Sequence, residues 1–257
     1  MSKYLRIFIS LLKYNLIREM EFRKNFYLRL ITQVFFVILQ LVIVSTFFSF
    51  TDSIGSWTKN EVLVLVGIFR LIEGAFHMFI HSNLLYLPEM VNSGEMDLLL
   101  SKPVSSLFFV SIKQHQLYEF STFISGIVIL LYTHLITGLN WAFVAFVAIF
   151  GFLGLYTIML FFASLSFFIP RMTALSSIWD VISKTARFPL DIFTGPSRFG
   201  LSLATPLVLV VTLPSQIVLG KLSLLYLPLE VAGVLALLVF THQFWAFSLR
   251  HYSSASS

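Results

Sequence analysis

Five stretches of this chain, residues 28–50, 62–82, 117–137, 141–169 and 222–249, are each apolar over about twenty residues or more. A helix of that length spans the roughly 30 Å hydrocarbon core of a bilayer, and it satisfies its own backbone hydrogen bonds where no water can. A sixth crossing is expected between Pro170 and Lys221, where two segments compete. Residues 172–188 are moderately apolar and carry Asp180, Lys184 and Arg187, whereas residues 201–220 are apolar but interrupted by Pro206 and Pro214. Whichever does not cross becomes a re-entrant or broken element, tolerated at membrane depth only under protein or beside a water-filled cavity. Composition agrees with a lipid solvent: 58% of residues are hydrophobic and only 11% charged, too few to build a water-facing surface. With no cysteine, neither a disulfide framework nor a thiolate metal site is available. Residues 1–27 carry charges throughout and no continuous apolar run, so no cleavable signal is expected there and the first apolar run stays as a helix.

Six crossings put both termini on one side, and the distribution of Lys and Arg says which. Lys3, Arg6, Lys13, Arg18, Arg23, Lys24, Arg29, Lys102, Lys113, Arg171 and Arg250 fall on the side of the termini, against Lys59, Arg198 and Lys221 opposite. Positive charge marks the cytoplasmic side. This bias accounts for the net charge of +5, so that charge gives no support to nucleic-acid binding. Within residues 1–27, Leu5, Phe8, Ile9, Leu12, Leu16 and Met20 share a helical face flanked by Arg6 and Lys13, the pattern of a helix lying in the headgroup interface. A helix packed on a partner protein would show the same stripe.

Groups able to do chemistry are sparse. The Gly220-Lys221 pair is no phosphate loop, because Ser215 stands where a glycine is required and Leu222 where Ser or Thr is. In the second span, Arg70, Glu73, His77 and His81 recur at helical spacing on one face. Ionisable groups at membrane depth point to a transport path or a subunit interface. A metal is disfavoured, since Arg70 and Glu73 neutralise each other and the His pair lies near water; His115, His134 and His242 stand alone. Between the second and third spans, residues 84–108 interleave apolar residues with Glu89, Glu95 and Asp97 between Pro88 and Pro103, with a Leu98, Leu99, Leu100 triplet. That segment suits a short helix pressed against a partner, since anionic lipid would repel its acids.

Glu89, Gly94, Asp97, Leu100 and Pro103, in the frame E-x4-G-x2-D-x2-L-x2-P, resemble the cytoplasmic loop of ABC-2 type permease subunits of ATP-binding-cassette transporters, in particular a six-helix bacterial group. The stretch 187–199 (RFPLDIFTGPSRF) with Pro206, Pro214 and Gly220, and the ending Arg250, Tyr252, Ser253, Ser254 and Ala255, are similar to later parts of that group. The resemblance implies an all-α polytopic fold: an N-terminal interfacial helix over 1–27 and a transmembrane domain over 28–257, with spans near 28–50, 62–82, 117–137, 141–169, 172–188 and 222–249. It also implies a coupling helix within 84–108 and a re-entrant region over 189–220. Coupling to an ATPase would fall to Glu89, Gly94, Glu95, Asp97, Leu98, Leu99, Leu100 and Pro103; Arg70, Glu73, His77, Asp180 and Lys184 would line a path or a subunit interface. No catalytic residue, metal or bound cofactor is implied. ATP and Mg would sit on separate ATP-binding-cassette ATPase subunits, beside a second, identical or related permease copy and membrane lipid, in a bacterial cytoplasmic (inner) membrane with both termini cytoplasmic. Export is the expected direction. A secondary transporter or channel working without an ATPase would show internal repeats with matching midplane charges, and the cluster of the second span has no counterpart in the fifth or sixth. An enzyme would need acidic residues or His converging from several helices, and the sequence places them on one.

Overall fold

The computed structural model describes residues 3–133, 140–169, 174–189 and 208–252. Within them the fold is helical apart from a two-stranded hairpin, β1 (Ser53–Ile54) with β2 (Trp57–Thr58). The chain starts with α1 (Lys3–Glu21), turns at Phe22, and continues as α2 (Arg23–Phe50), whose apolar residues point outward almost all round. Such a helix keeps its side chains out of water only if lipid surrounds it. After the hairpin, Thr58 and Glu61 form a reciprocal capping box that starts α3 (Lys59–Phe76). One π-turn (His77–His81) joins α3 to α4 (Ser82–Ser93), giving a continuous rod of 35 residues from Lys59 to Ser93. The second span is therefore longer than the expected 62–82, and Pro88 does not end it. Leu84, Leu87 and Met90, all buried, hold the helix through the proline.

Gly94, in the left-handed conformation at φ 78°, ends the rod and lets α5 (Glu95–Leu100) set off in a new direction. Next come α6 (Ser106–Ile112) and, bent from it by 67°, the run Leu117–Thr133, which contains α7 (Phe120–Thr133). The bend leaves backbone groups without helical partners, and the rod supplies them. Asn83 accepts from the Gln114 N–H and donates to the Gln114 carbonyl, both at 2.7 Å, and the Gln116 N–H donates to the Met78 carbonyl at 2.9 Å. The remaining elements are α8 (Asn140–Ser164), α9 (Leu175–Thr185), α10 (Leu213–Val218) after a π-turn (Val208–Thr212), and α11 (Leu227–Arg250).

The core forms where α3 meets α7 and α8. Gly67, Gly74 and Gly126 allow the first contact: a Cβ built at Gly74 would lie 2.4 Å from the Phe123 backbone nitrogen, and one at Gly126 would lie 2.8 Å from the Gly67 carbonyl oxygen. Between lipid-embedded helices this close backbone approach supplies the packing that hydrophobicity cannot. Among the described residues four helices are long and apolar enough to cross a membrane, and a fifth if the bent pair is one span. Within the expected span 172–188, of which 172–173 lie outside the described residues, α9 supplies 11 helical residues measuring about 16 Å. Most of the expected re-entrant region 189–220 lies outside the described residues, as do His134, Arg171, Arg198, Pro206, Ser253, Ser254 and Ala255.

Two ends of the bundle are well marked. At one, Lys221 pairs with Glu61 at 2.7 Å and lies over the Trp57 ring. At the other, Lys3 donates to the Pro103 carbonyl at 2.6 Å and Tyr252 meets Phe167. The described parts of 174–221 step between these ends: Trp179 stacks on Phe76, Arg187 reaches Glu73, Val210 faces Gly151 and Lys221 reaches Glu61.

Candidate functional site

Inside the bundle, the rod presents Arg70 and Glu73 from α3 and His77 and His81 from the π-turn along one side, but their partners come from elsewhere in the chain. Arg70, 3% exposed, donates to Gln40 of α2 and sits 3.4 Å from Glu73. Arg187, just beyond α9, donates to the other Glu73 oxygen at 3.2 Å. Below them Glu119, from the start of the Leu117–Thr133 run, accepts from Gln33 of α2 at 2.8 Å and from Thr122 at 2.7 Å, with His77 Nδ1 3.6 Å away. Two carboxylates and two guanidiniums thus balance in a buried network, the condition under which such charges are tolerated.

The π-turn places residues four apart nearly above one another, and the His77 and His81 rings stack at 4.1 Å with a 7° tilt, covered by Trp179. Isolated π-turns within helices gather at functional sites. Both His Nε2 atoms are buried without a hydrogen-bond partner among the described residues. A cavity of about 500 Å³ opens beside them, lined by His77, His81, Ser82, Tyr86, Tyr118 and Glu119 among others. Among the described residues no group of three His, Asp or Glu is placed to hold a metal.

At the end of the rod, α5 is clamped rather than loose. Glu95 accepts from the Tyr86 hydroxyl at 2.8 Å and from Lys113 at 3.2 Å, and these two donors hold its carboxyl below the usual range. Met96 and Leu99 are buried, so the leucine triplet divides: Leu99 anchors the helix, while Leu98 at 69% and Leu100 at 43% exposure face outward. Glu89 and Pro103 are exposed and Asp97 is half-buried. α1 lies alongside, with Tyr4 edge-on to Phe108 at 4.8 Å, Asn15 donating to the Lys113 carbonyl at 3.3 Å, and Glu19 accepting from the Leu117 N–H at 2.9 Å. Burial raises the Glu19 carboxyl above its ordinary value. The packed face of α1 thus runs through Tyr4, Phe8, Leu11, Asn15 and Glu19, and of the apolar stripe read from sequence Leu5, Ile9 and Leu16 remain exposed.

Of the expected path residues, Arg70, Glu73 and His77 come together. Asp180 and Lys184 do not join them: they pair with each other at 3.5 Å on the exposed side of α9. Gln33, Gln40, Glu119 and Trp179 complete the cluster unannounced, and of the three charges of the polar segment 172–188 only Arg187 joins it. Glu119 was the one with a signal, an acid at the start of an apolar run. His115, expected to stand alone, is buried against Asn15 with Nδ1 3.1 Å from the amide nitrogen. Glu230, buried near the start of α11 with neither carboxylate oxygen paired among the described residues, also went unread.

Apolar helices enclosing a balanced polar core, with a short clamped helix at one end, define a multi-pass membrane protein of transport type. The family profile described as ABC-2 family transporter protein matches residues 34–256, and the chain belongs to that family. It is accordingly a permease subunit of an ATP-binding-cassette transporter, a membrane component associated with ATPase partners. No curated protein and no solved structure matches the chain.

Proposed function

We propose that this chain is the permease of an exporter in a bacterial inner membrane, working as a pair with an identical or related copy. Separate ATPase subunits, holding ATP and Mg, seat under the segment from Glu89 to Pro103. The chain crosses six times, with its fifth crossing between Pro170 and Lys221, and both termini lie in the cytoplasm with α1 in the interface. The exposed stripe of Leu5, Ile9 and Leu16 supports that placement of α1.

The observation that carries the ATPase reading is the division of α5. Met96 and Leu99 fix it to the bundle while Leu98 and Leu100 stand outward beside Asp97. An apolar pair displayed in water at the end of a membrane protein, on a helix anchored by its other face, suits a partner's groove. Closure of the ATPases would push α5, and the 35-residue rod would carry that push to the cluster around Glu73 and His77.

The test is co-purification from native membranes with Leu98→Glu and Leu100→Glu. These exposed positions leave the α5 anchor intact, so chain level and monodispersity should hold while the ATPase is lost. An ATPase that stays bound at wild-type level in the double variant would defeat the reading. Glu95 is the wrong probe, because reversing it breaks the clamp to Tyr86 and Lys113 as well.

A further inference from the structure

Where α1 turns into α2, a cavity of about 400 Å³ is lined by Arg18, Asn25, Arg29, His115, Gln116 and Tyr118 among others. Phe26 lines this cavity and also an apolar groove of about 490 Å³ that runs on between α2 and α7, past Leu30, Leu41, Ile124 and Val128. From Phe26 to Leu41 the groove follows about 22 Å of helix at about 1.5 Å per residue, more than the roughly 15 Å depth of one leaflet. A charged chamber thus opens directly into a chain-length apolar channel on the lipid-facing side of the protein.

The chamber is built to accept an anion. Arg29 lies over the Tyr118 ring at 4.8 Å, and Arg18 stands on the exposed side of α1. The acid that lines it, Glu19, accepts the Leu117 N–H with one oxygen and has the other, Oε2, buried without a hydrogen-bond partner among the described residues, so against Arg18 and Arg29 the lining keeps one positive charge in excess. His115 also lines it. Its Nδ1 lies 3.1 Å from the Asn15 amide nitrogen, which donates to the Leu11 carbonyl at 2.8 Å and to the Lys113 carbonyl at 3.3 Å. His115 is 1% exposed, and its Nε2 has no partner among the described residues. A buried imidazole nitrogen without a partner is costly, and in the Nε2–H tautomer a phosphate oxygen entering the chamber would relieve it.

We propose that this chamber and groove bind one anionic phospholipid, its phosphate held by Arg18, Arg29 and His115 and one acyl chain laid along the groove between α2 and α7. A zwitterionic lipid would bring an ammonium group beside the two arginines. Bound this way, the lipid ties α1 to α7 at the base of the bundle, independently of which cargo is moved or in which direction.

The full chain, purified in detergent and stripped of lipid, is titrated with phosphatidylglycerol, phosphatidylcholine and inorganic phosphate, read by native mass spectrometry and by melting temperature. Phosphatidylglycerol should bind at about one molecule per chain and raise the melting temperature. Arg18→Gln and Arg29→Gln should each weaken it about tenfold, the loss of one charge-assisted contact. Val128→Trp, which fills the groove at a position 58% exposed, should weaken phosphatidylglycerol too. Phosphatidylcholine equal to phosphatidylglycerol would reduce the site to ordinary annular contact, and a full melting shift from inorganic phosphate alone would make it a free-anion site. Either result overturns the proposal, as does wild-type binding by the arginine variants. If Arg29→Gln does not fold, Arg18→Gln, on the exposed side of α1, decides.

Discussion

Gly74→Ala tests whether the α3–α7 contact is as tight as the backbone demands. The added methyl would sit 2.4 Å from the Phe123 nitrogen and 2.8 Å from its Cα, where ordinary contact begins near 3.4 Å, so the helices must part by about 1 Å. No rotamer can relieve a clash against backbone. Overpacking of this kind costs up to about 3 kcal/mol, and the better helix propensity of Ala returns about 1, leaving a net loss of about 2 kcal/mol. In a chain of this size that lowers the melting temperature by roughly 4–8 °C. The parting also acts on the cluster one turn away, since it pulls Glu119 from His77, already 3.6 Å apart. Gly154 is the control: a Cβ there meets side chains alone, Val210 Cγ2 at 2.6 Å and Val234 Cγ2 at 3.9 Å, and a change of the Val210 rotamer relieves the close one, so Gly154→Ala should melt within about 1 kcal/mol of wild type. At Gly67 the obstacle is the Leu130 side chain at 2.8 Å, so Leu130→Ala should partly rescue Gly67→Ala, whereas Phe123→Ala should not rescue Gly74→Ala. Thermal melting of the purified chain in detergent separates these cases. A Gly74→Ala protein as stable as wild type, or rescued by Phe123→Ala, would refute the reasoning.

Glu73→Ala should destabilise more than Arg187→Ala. The first strands two guanidiniums, one of them 3% exposed, at a cost of about 3–5 kcal/mol, while the second leaves Glu73 paired with Arg70; melting curves compare them. The Glu95 clamp should depend on pH. Its folded pKa lies below the unfolded value of about 4.3, so the clamp is fully present above that value and fades as pH falls through the folded one. Relative to the intrinsic rate at each pH, hydrogen exchange over α5 should speed up in wild type only as pH falls below about 4.3, and should show no such acid step in Glu95→Gln.

Long apolar helices were legible because lipid imposes a length and a polarity on any helix that crosses it: 28–50 lies within α2, and 222–249 overlaps the run Leu224–Arg250 in all but its first two residues. The rod past Ser82 was not, since Pro88 carries a local stop signal and only burial of Leu84, Leu87 and Met90 overrides it. Half of the polar cluster was visible because Arg70, Glu73, His77 and His81 lie on one helix, where periodicity suffices. Gln33, Gln40, Glu119 and Arg187 join from other elements, and helical spacing carries no information on which polar residue of a different helix will face inward. The same limit explains α1: its packed face through Asn15 and Glu19 is partly polar, so a hydrophobic stripe could not reveal it.

Gly94 joins the two halves of the proposed coupling, for it is where the rod ends and α5 begins. At φ 78° an alanine would be strained by about 1–2 kcal/mol, whereas asparagine enters this region several-fold more readily than most residues. The strain can be relieved only by re-aiming α5 against α4, which would loosen Glu95 from Tyr86 and Lys113 and swing Leu98 and Leu100 away from their outward line. Gly94→Ala should therefore keep the chain in the membrane, with melting lowered by only a few degrees. In reconstituted vesicles with its ATPase, stimulation of ATP hydrolysis by the permease should fall several-fold more than binding of the ATPase does. Gly94→Asn should recover most of that stimulation, because it tolerates the backbone angle although it, too, adds a side chain. Equal behaviour of the two variants would mean that room for a side chain, not the left-handed turn, is what matters at this joint, and the rod-to-helix lever would lose its hinge.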